Sequence, residues 1–211
     1  MEDDISALSE AIRDWRIGGP ALFAQESLGA SPTPQQWEAS QALVERRRVS
    51  IRSGHGTGKS AFTAWSVLWF LVCHAPCKVP CTAPTSHQLE DILWAEIAKW
   101  LQRMKEALPQ IAAEIEWTAE RIYLKAMPQE AFAVARTSRP EKPEALQGFH
   151  AENILFLIDE ASGVSENVFE VAEGALSTDG AYVLMCSNPT RTEGYFYDSH
   201  HKMRERWACL H

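Results

Sequence analysis

The chain has 211 residues, 45% of them hydrophobic and 23% charged, with 20 Lys+Arg against 28 Asp+Glu and a formal net charge of −8. This length holds one α/β domain with a full core and little more, and the hydrophobic content excludes a disordered chain. The acidic balance does not advertise a nucleic-acid binder, although a motor grips phosphates through a small local patch or through another domain.

No apolar run reaches the ~18 uninterrupted residues of a membrane span. The start, Met1-Glu2-Asp3-Asp4, lacks the basic-then-apolar order of a signal peptide. A soluble, cytoplasmic protein with no membrane contact is therefore expected.

Ile5 to Ile17 reads as a helix, with Ile5, Leu8, Ala11, Ile12 and Trp15 on one face. Gly18-Gly19-Pro20 ends it, and Ala21 to Ala30 follows as a short apolar connection. Residues 1–32 are expected to be an N-terminal helical appendage on a main domain of residues 33–211. Thr33 and Pro34 then open a second helix as N-cap and first-turn proline. Gln36 has two readings: an ordinary helix-start residue, or a contact to adenine, whose N7 and N6 edge complements an amide.

Val49 to Arg52 reads as a short strand and Ala61 to Val72 as a buried helix. Between them lies Ser53-Gly54-His55-Gly56-Thr57-Gly58-Lys59-Ser60. Strand, glycine-rich loop, Gly-Lys-Ser and helix make the context of a phosphate-binding loop. Backbone N–H groups turn inward on phosphate oxygens, and the helix N-terminus adds positive potential. Lys59 is expected to reach the β- and γ-phosphates and the Ser60 hydroxyl to ligate magnesium. The first position of the general pattern holds Ser53 where glycine is usual. The alternative is a glycine-rich turn without a ligand.

The five cysteines fit a reducing compartment. Cys73, Cys77 and Cys81, with His74, would be either a zinc site or small apolar residues at a helix end and in a buried strand. The spacing is not C-x2-C and no paired second half is evident, which favours the latter.

Lys78 to Ala83 is a further strand, with Pro80 against the grain. Pro84-Thr85-Ser86 caps a long helix whose stripe is Leu89, Ile92, Leu93, Ile97, Trp100, Leu101, Met104 and Leu108. That loop is either a nucleic-acid contact or an ordinary cap. Residues 115–117 and 122–124 form a candidate hairpin, and Ala131 to Ala135 another strand. A polar, proline-punctuated loop over 136–144 follows.

Ile154 to Ile158 is five large apolar residues in a row, the habit of a strand buried on both faces. Asp159 and Glu160 follow at its C-terminal end, where active groups gather in open α/β sheets. Asp159 is expected to hold magnesium and Glu160 to orient and polarise the attacking water. Glu166 to Leu176 reads as a helix, and Ala181 to Cys186 as a buried strand. It ends in Ser187-Asn188-Pro189-Thr190, short polar residues placed to sense the γ-phosphate.

Taken together, the T-P-x-Q element, the S-G-H-G-T-G-K-S loop, the A-P-T loop, L-I-D-E-A and S-N-P-T followed by G-Y-F-Y-D resemble the ATPase domain of large terminase subunits, the DNA-packaging motors of tailed bacteriophages. The matching pieces run from Thr33 to about Asp198. The resemblance implies a P-loop NTPase with a RecA-like, mostly parallel central sheet flanked by helices. It implies ATP with Mg2+ as cofactors, Glu160 as catalytic glutamate after the metal-binding Asp159, and Ser187, Asn188 and Thr190 coupling hydrolysis to movement. It further implies a homo-oligomeric ring (with a monomer in isolation) on a viral portal protein. With a small terminase subunit, the ring would pump double-stranded DNA into a procapsid in the cytoplasm of the infected host.

Family members often carry a basic residue early in the phosphate loop; here His55 stands there, with Arg52 just before the loop. They also carry a C-terminal nuclease domain, for which the residues after Asp198 are too few. The chain would be a fragment ending at the domain boundary, or a partner would supply cutting. Ring motors use an arginine from a neighbouring subunit, worth ~10³–10⁵ in rate; Arg139, and after it Arg136, are the candidates. A helicase-type remodeller would need a second motor domain, which 211 residues do not hold. A nucleotide-dependent switch without turnover is the other alternative, and Glu160 argues against it.

Overall fold

A strand buried on both faces must find helices above and below it, and the chain supplies them in turn. The structure, a computed structural model, describes residues 2–137, 149–175 and 180–211. Among these, eight strands form one sheet: β1 (Arg48–Arg52), β2 (Cys77–Thr82), β3 (Ile115–Trp117), β4 (Arg121–Leu124), β5 (Ala131–Ala135), β6 (Asn153–Asp159), β7 (Ala181–Ser187) and β8 (Ala208–Leu210). Their spatial order is β3-β4-β5-β2-β6-β7-β1-β8. From β5 to β8 every neighbouring pair is parallel, and the β3–β4 hairpin adds antiparallel strands at the β5 edge. The fold is thus an α/β fold with a mostly parallel sheet flanked by helices.

Alternation along the central strands sorts their side chains into two cores. Leu155, Leu157, Leu184 and Cys186 face one side, and Ile154, Phe156, Ile158, Val183 and Met185 the other. The first side is covered by α1 (Glu2–Ser27), α2 (Pro34–Arg46), α3 (Lys59–Cys73) and α4 (Ala95–Ala107); the second by α6 (Glu166–Ala175) and α7 (Tyr195–Ser199). A single-turn helix, α5 (Pro109–Ala112), leads into the hairpin. α3 is apolar nearly all round and buried nearly all round, as a helix between a sheet and further helices must be. No helix among the described residues is long and apolar enough to cross a membrane.

Two local expectations need correcting. The N-terminal helix does break at Gly19 (φ 80°, ψ −176°), but Pro20 starts a second helical stretch that runs to Ser27. Proline suits a first helical turn, where its missing N–H has no partner to lose. Residues 21–27 are therefore helix rather than connection, and Ala21, Phe23 and Ala24 are fully buried.

The stripe from Leu89 to Leu108 is not one α-helix. Residues His87–Trp94 form a π-helix that hands over to α4. Its wider i→i+5 turn shifts the facing residues, so Ile92, read as core, is 42% exposed while Leu89, Leu93 and Trp94 are buried.

Pro80 sits in β2, a central strand. Pairing with β6 holds at Cys77 and Lys78, lapses at Val79 and Pro80, and resumes at Cys81 and Thr82. A residue without an N–H is tolerated where the ladder is interrupted.

The strand order fixes the site. β7 lies between β1 and β6, with Arg52 opposite Ser187 and Cys186 opposite Asp159. The phosphate loop, the S-N-P-T segment and the Asp-Glu pair therefore leave three adjacent parallel strands at the same edge.

Candidate nucleotide site

The loop after β1 continues the sheet for one more bond, Ser53 N–H to the Ser187 carbonyl at 3.2 Å. Gly56 (φ 72°) and Gly58 (φ 83°) then take left-handed backbone that suits glycine. Outside glycine, only Arg47 and Glu160 among the described residues have positive φ, so Ser53 needs no glycine backbone. That is why a serine is tolerated at the first position of the pattern. Its hydroxyl meets Thr57 Oγ1 at 2.9 Å, and Thr57 donates to the Gly54 carbonyl at 3.3 Å, stapling the loop.

Gly58 is the N-cap of α3 and brings no side chain to the helix start. The first-turn N–H groups of Lys59 and Ser60 thus sit where an anion is favoured. Lys59 Nζ donates to the carbonyls of Ser53 (3.2 Å) and Gly54 and to Asn188 Oδ1 (2.9 Å). The same Asn188 amide meets the His55 ring through Nδ2, 2.8 Å from Nε2. His55 thereby belongs to the loop's polar cluster. Arg52 turns away from it, with Nε donating to His211 Nδ1 at 3.0 Å.

Gln36 closes a capping box: Thr33 N–H donates to its Oε1 at 2.9 Å, and its own N–H meets Thr33 Oγ1 at 3.3 Å. Its Nε2 donates to the Gly58 carbonyl at 3.0 Å. Both ends of the amide are engaged within the chain, and the side chain ties α2 to the phosphate loop. Beside this contact opens a cavity of about 410 Å³, lined by Thr33, Gln36, Ile51, Gly58, Phe62 and Leu210 among others. Its mixed apolar and amide lining and its size suit a nucleotide's base and sugar.

Asp159 ends β6 and is 5% exposed. Burial first, and the neighbouring Glu160 charge second, push its carboxyl up to about 6; the Glu160 N–H and the Lys59 charge oppose the rise. Its Oδ1 accepts from Glu160 N–H at 3.0 Å. A buried carboxylate of raised pKa, at the strand edge beside a phosphate loop, lacks a full counter-charge. A hard cation with oxygen ligands would supply one, and Mg2+ takes only one or two protein oxygens, completing its shell with phosphates and water. No group of three or more His, Cys, Asp and Glu with metal-binding geometry occurs among the described residues. Asp159 with the Ser60 hydroxyl is a donor set that fits.

Glu160 sits in left-handed backbone (φ 47°, ψ 45°) at the start of a 3₁₀ turn, Ala161–Gly163. Holding a non-glycine residue there costs about 1–2 kcal/mol. The turn is held by β7's end: Ser162 N–H donates to Ser187 Oγ at 3.1 Å, and Ser162 Oγ to the Asn188 carbonyl at 2.8 Å. Ser187 Oγ lies 3.2 Å from Glu160 Oε2. Thr190 N–H returns to the Asn188 carbonyl at 2.9 Å. Gly163 packs on the A-P-T loop so closely that a Cβ there would meet Pro84 Cγ at 2.7 Å.

The structure thus brings together Gln36, Ser53 through Ser60, Asp159, Glu160, Ser187, Asn188 and Thr190. Arg136 stands apart at the end of β5, exposed, its guanidinium on the Ala135 carbonyl at 3.0 Å. Arg139 lies outside the described residues. Ser162 was not singled out from sequence; its only signal was its place two residues after Glu160. Cys73, Cys77 and Cys81 are buried fillers, with burial pushing the Cys77 thiol up to about 12 and the other two higher.

No family model matches the chain. It is 33% identical over 195 residues, 92% of its length, to a probable terminase large subunit of Enterobacteria phage P7, and spans 38% of that relative's length. Among solved structures, the large terminase ATPase domain of Thermus phage P74-26 superposes with a TM-score of 0.66 at 20% identity, over 85% of this chain and 73% of that one. The large terminase of a second thermophilic bacteriophage, in complex with ADP, gives 0.62 at 15% identity, over 83% of this chain and 42% of that one. Its complex with ATP-gamma-S gives 0.59 at 14% identity, over 85% and 44%. By sequence the chain is a homologue of phage terminase large subunits, and by fold it is a counterpart of their ATPase domains.

Proposed function

We propose that the chain hydrolyses ATP to drive double-stranded DNA into a viral procapsid. Residues 33–211 would be the ATPase unit, with residues 1–32 packed on it. One observation carries the reading. The phosphate-loop lysine, the S-N-P-T segment and the acidic pair are one hydrogen-bonded cluster, through Lys59–Asn188 at 2.9 Å and Ser187–Glu160 at 3.2 Å. Nucleotide complexes of similarly folded large terminases favour ATP as the ligand.

In this reading the amides at Gly56 to Ser60 cradle the phosphates, and Lys59 leaves the Ser53 and Gly54 carbonyls to meet them. Gln36 sets the loop's position through Gly58 and lies at the wall of the base cavity, within reach of adenine once its internal bonds exchange. Ser60 and Asp159 would hold Mg2+, whose charge would offset that developing on the phosphates. The Glu160 carboxylate orients a water and takes its proton. Asn188, released by Lys59, passes the change to Ser187 and Thr190. An arginine from the next subunit of a ring, Arg139 or Arg136, completes the site. The portal protein, the small terminase subunit and DNA are the proposed partners, in the cytoplasm of the infected host.

The test is phosphate release with Mg2+ and ATP, followed by DNA protection in an assembly of procapsid, portal and both terminase subunits. Lys59→Ala and Glu160→Gln should each remove turnover and packaging, with Glu160→Gln still binding ATP. Turnover unchanged in both variants rejects the proposal.

A further inference from the structure

The Asn188 backbone carbonyl carries more donors than it has lone pairs. Thr190 N–H reaches it at 2.9 Å, Ser162 Oγ at 2.8 Å and Ser187 Oγ at 2.9 Å. A carbonyl oxygen has two lone pairs, and a serine hydroxyl has one proton to give. The Thr190 bond is fixed by the backbone. Ser162 and Ser187 therefore compete for the remaining site. Ser187 has an alternative acceptor, Glu160 Oε2 at 3.2 Å; among the described residues the Ser162 hydroxyl has no other. The Ser162 backbone N–H meanwhile donates to Ser187 Oγ at 3.1 Å, leaving that oxygen's own proton free to turn outward.

We infer that Ser162 is a positioning residue for Glu160: by filling the Asn188 carbonyl, its hydroxyl directs the single Ser187 proton onto the Glu160 carboxylate. This rests on the proposed role of Glu160 as the base that orients water. A hydrogen bond to a carboxylate is stronger than one between neutral groups, so the arrangement also holds Glu160 in its left-handed turn. In Ser162→Ala the carbonyl regains a vacancy, the Ser187 hydroxyl swings to it, and Glu160 loses its orienting donor while keeping its charge. Ser162 is buried, and neither Lys59 nor the glycines of the phosphate loop are among its hydrogen-bond partners. Its loss should therefore act on turnover and leave nucleotide binding alone.

Steady-state ATP hydrolysis separates these effects. In Ser162→Ala, kcat should fall about tenfold, the loss of one hydrogen bond to a charged group, with KM for ATP unchanged. Ser162→Thr, which retains the hydroxyl, should recover most of the rate. In a Ser187→Ala background the same Ser162 change should cost nothing further, because the proton it directs is already gone. A rise in KM with kcat intact, or additive losses in the double variant, would overturn the inference. A crystal structure of Ser162→Ala decides it independently of turnover. Ser187 Oγ already lies within reach of both acceptors, so it is the undirected Glu160 carboxylate that should turn, taking Oε2 beyond hydrogen-bond reach of Ser187 Oγ; a retained contact would overturn the inference. A parent chain without turnover would reject the proposed function, and that structure would still decide the role of Ser162.

Discussion

Lys59 Nζ and Asn188 Oδ1 lie 2.9 Å apart, so the phosphate-loop cation is tied to the end of β7. The ammonium is also held by the Ser53 and Gly54 carbonyls. In the proposed function all three contacts loosen as Lys59 turns to the phosphates, and that cost would be subtracted from nucleotide affinity.

Asn188→Ala should therefore bind a slowly hydrolysed ATP analogue roughly ten- to hundredfold more tightly, since a hydrogen bond to a charged group contributes ~1.5–3 kcal/mol net of solvent. Asn188→Asp, which replaces the amide by a full charge, should bind it more weakly than the parent. Isothermal titration calorimetry measures both. Weaker binding in Asn188→Ala would mean that Asn188 grips the nucleotide rather than the lysine.

Asp159 gives a pH-dependent prediction. Its carboxyl is raised from 3.8 to about 6. The folded chain holds this proton more tightly than the unfolded chain, so the group's contribution to stability declines as pH rises from about 4 to about 6, and the ionised form is the costly one. The shift corresponds to at most about 3 kcal/mol. Asp159→Asn keeps the acceptor for Glu160 N–H and removes the charge. Without nucleotide or Mg2+, it should raise the melting temperature at pH 7.5 and leave it nearly unchanged at pH 4. Equal gains at both pH values would remove burial of the charge as the cause. With Mg2+ and nucleotide the order should reverse, because the parent alone offers a carboxylate to the cation.

Much of this was legible because the chemistry is short-range in sequence. Ser53 to Ser60 and Asp159-Glu160 each announce themselves within a few residues, and a run such as Ile154 to Ile158 admits little besides a buried strand. The order of strands was not legible. Local pattern does not say that β7 lies between β1 and β6, and it is that placement which puts Asn188 on Lys59 and Ser187 on Glu160. Ser162 escaped notice for the same reason: its partners lie 25 and 26 residues away. The π-turn at His87–Trp94 escaped because α- and π-spacings place Leu89 and Leu93 on one face alike, and differ at Ile92 and Trp94.

The Gln36–Gly58 contact makes a prediction about the loop's support. Gly58 has φ 83°, and a Cβ there would lie 2.6 Å from Gln36 Nε2. Gly58→Ala thus adds left-handed strain of about 1 kcal/mol and a collision, and should lower both stability and nucleotide affinity. Gln36→Ala alone loses the bond to the Gly58 carbonyl but keeps the loop's backbone. In the double variant the collision disappears and the strain remains, so the combined loss in chemical denaturation should be smaller than the sum of the single losses. Strict additivity would show that the two residues do not touch in solution.

His74 provides the last prediction, and it also bears on the zinc alternative. Its ring stacks on Phe70, with centroids 4.3 Å apart and planes 7° from parallel, and packs edge-on to Trp69 and Tyr182. Burial first, then the Arg16 and Arg47 charges, lower its pKa from 6.5 to about 3. The unfolded chain protonates below pH 6.5 while the folded chain resists, so the stabilisation is complete above pH 6.5 and is lost as pH falls towards 3. At pH 5 the loss is about 2 kcal/mol. His74→Phe keeps a ring of similar size and cannot titrate. Its stability relative to the parent should therefore improve by about that amount between pH 7 and pH 5, read from denaturant midpoints at the two pH values. A ring held among aromatic side chains, beside thiols whose pKa burial raises, is not set up to bind zinc. A strong zinc chelator should leave the parent's denaturation midpoint where it was; a drop would restore Cys73, His74, Cys77 and Cys81 as a metal site.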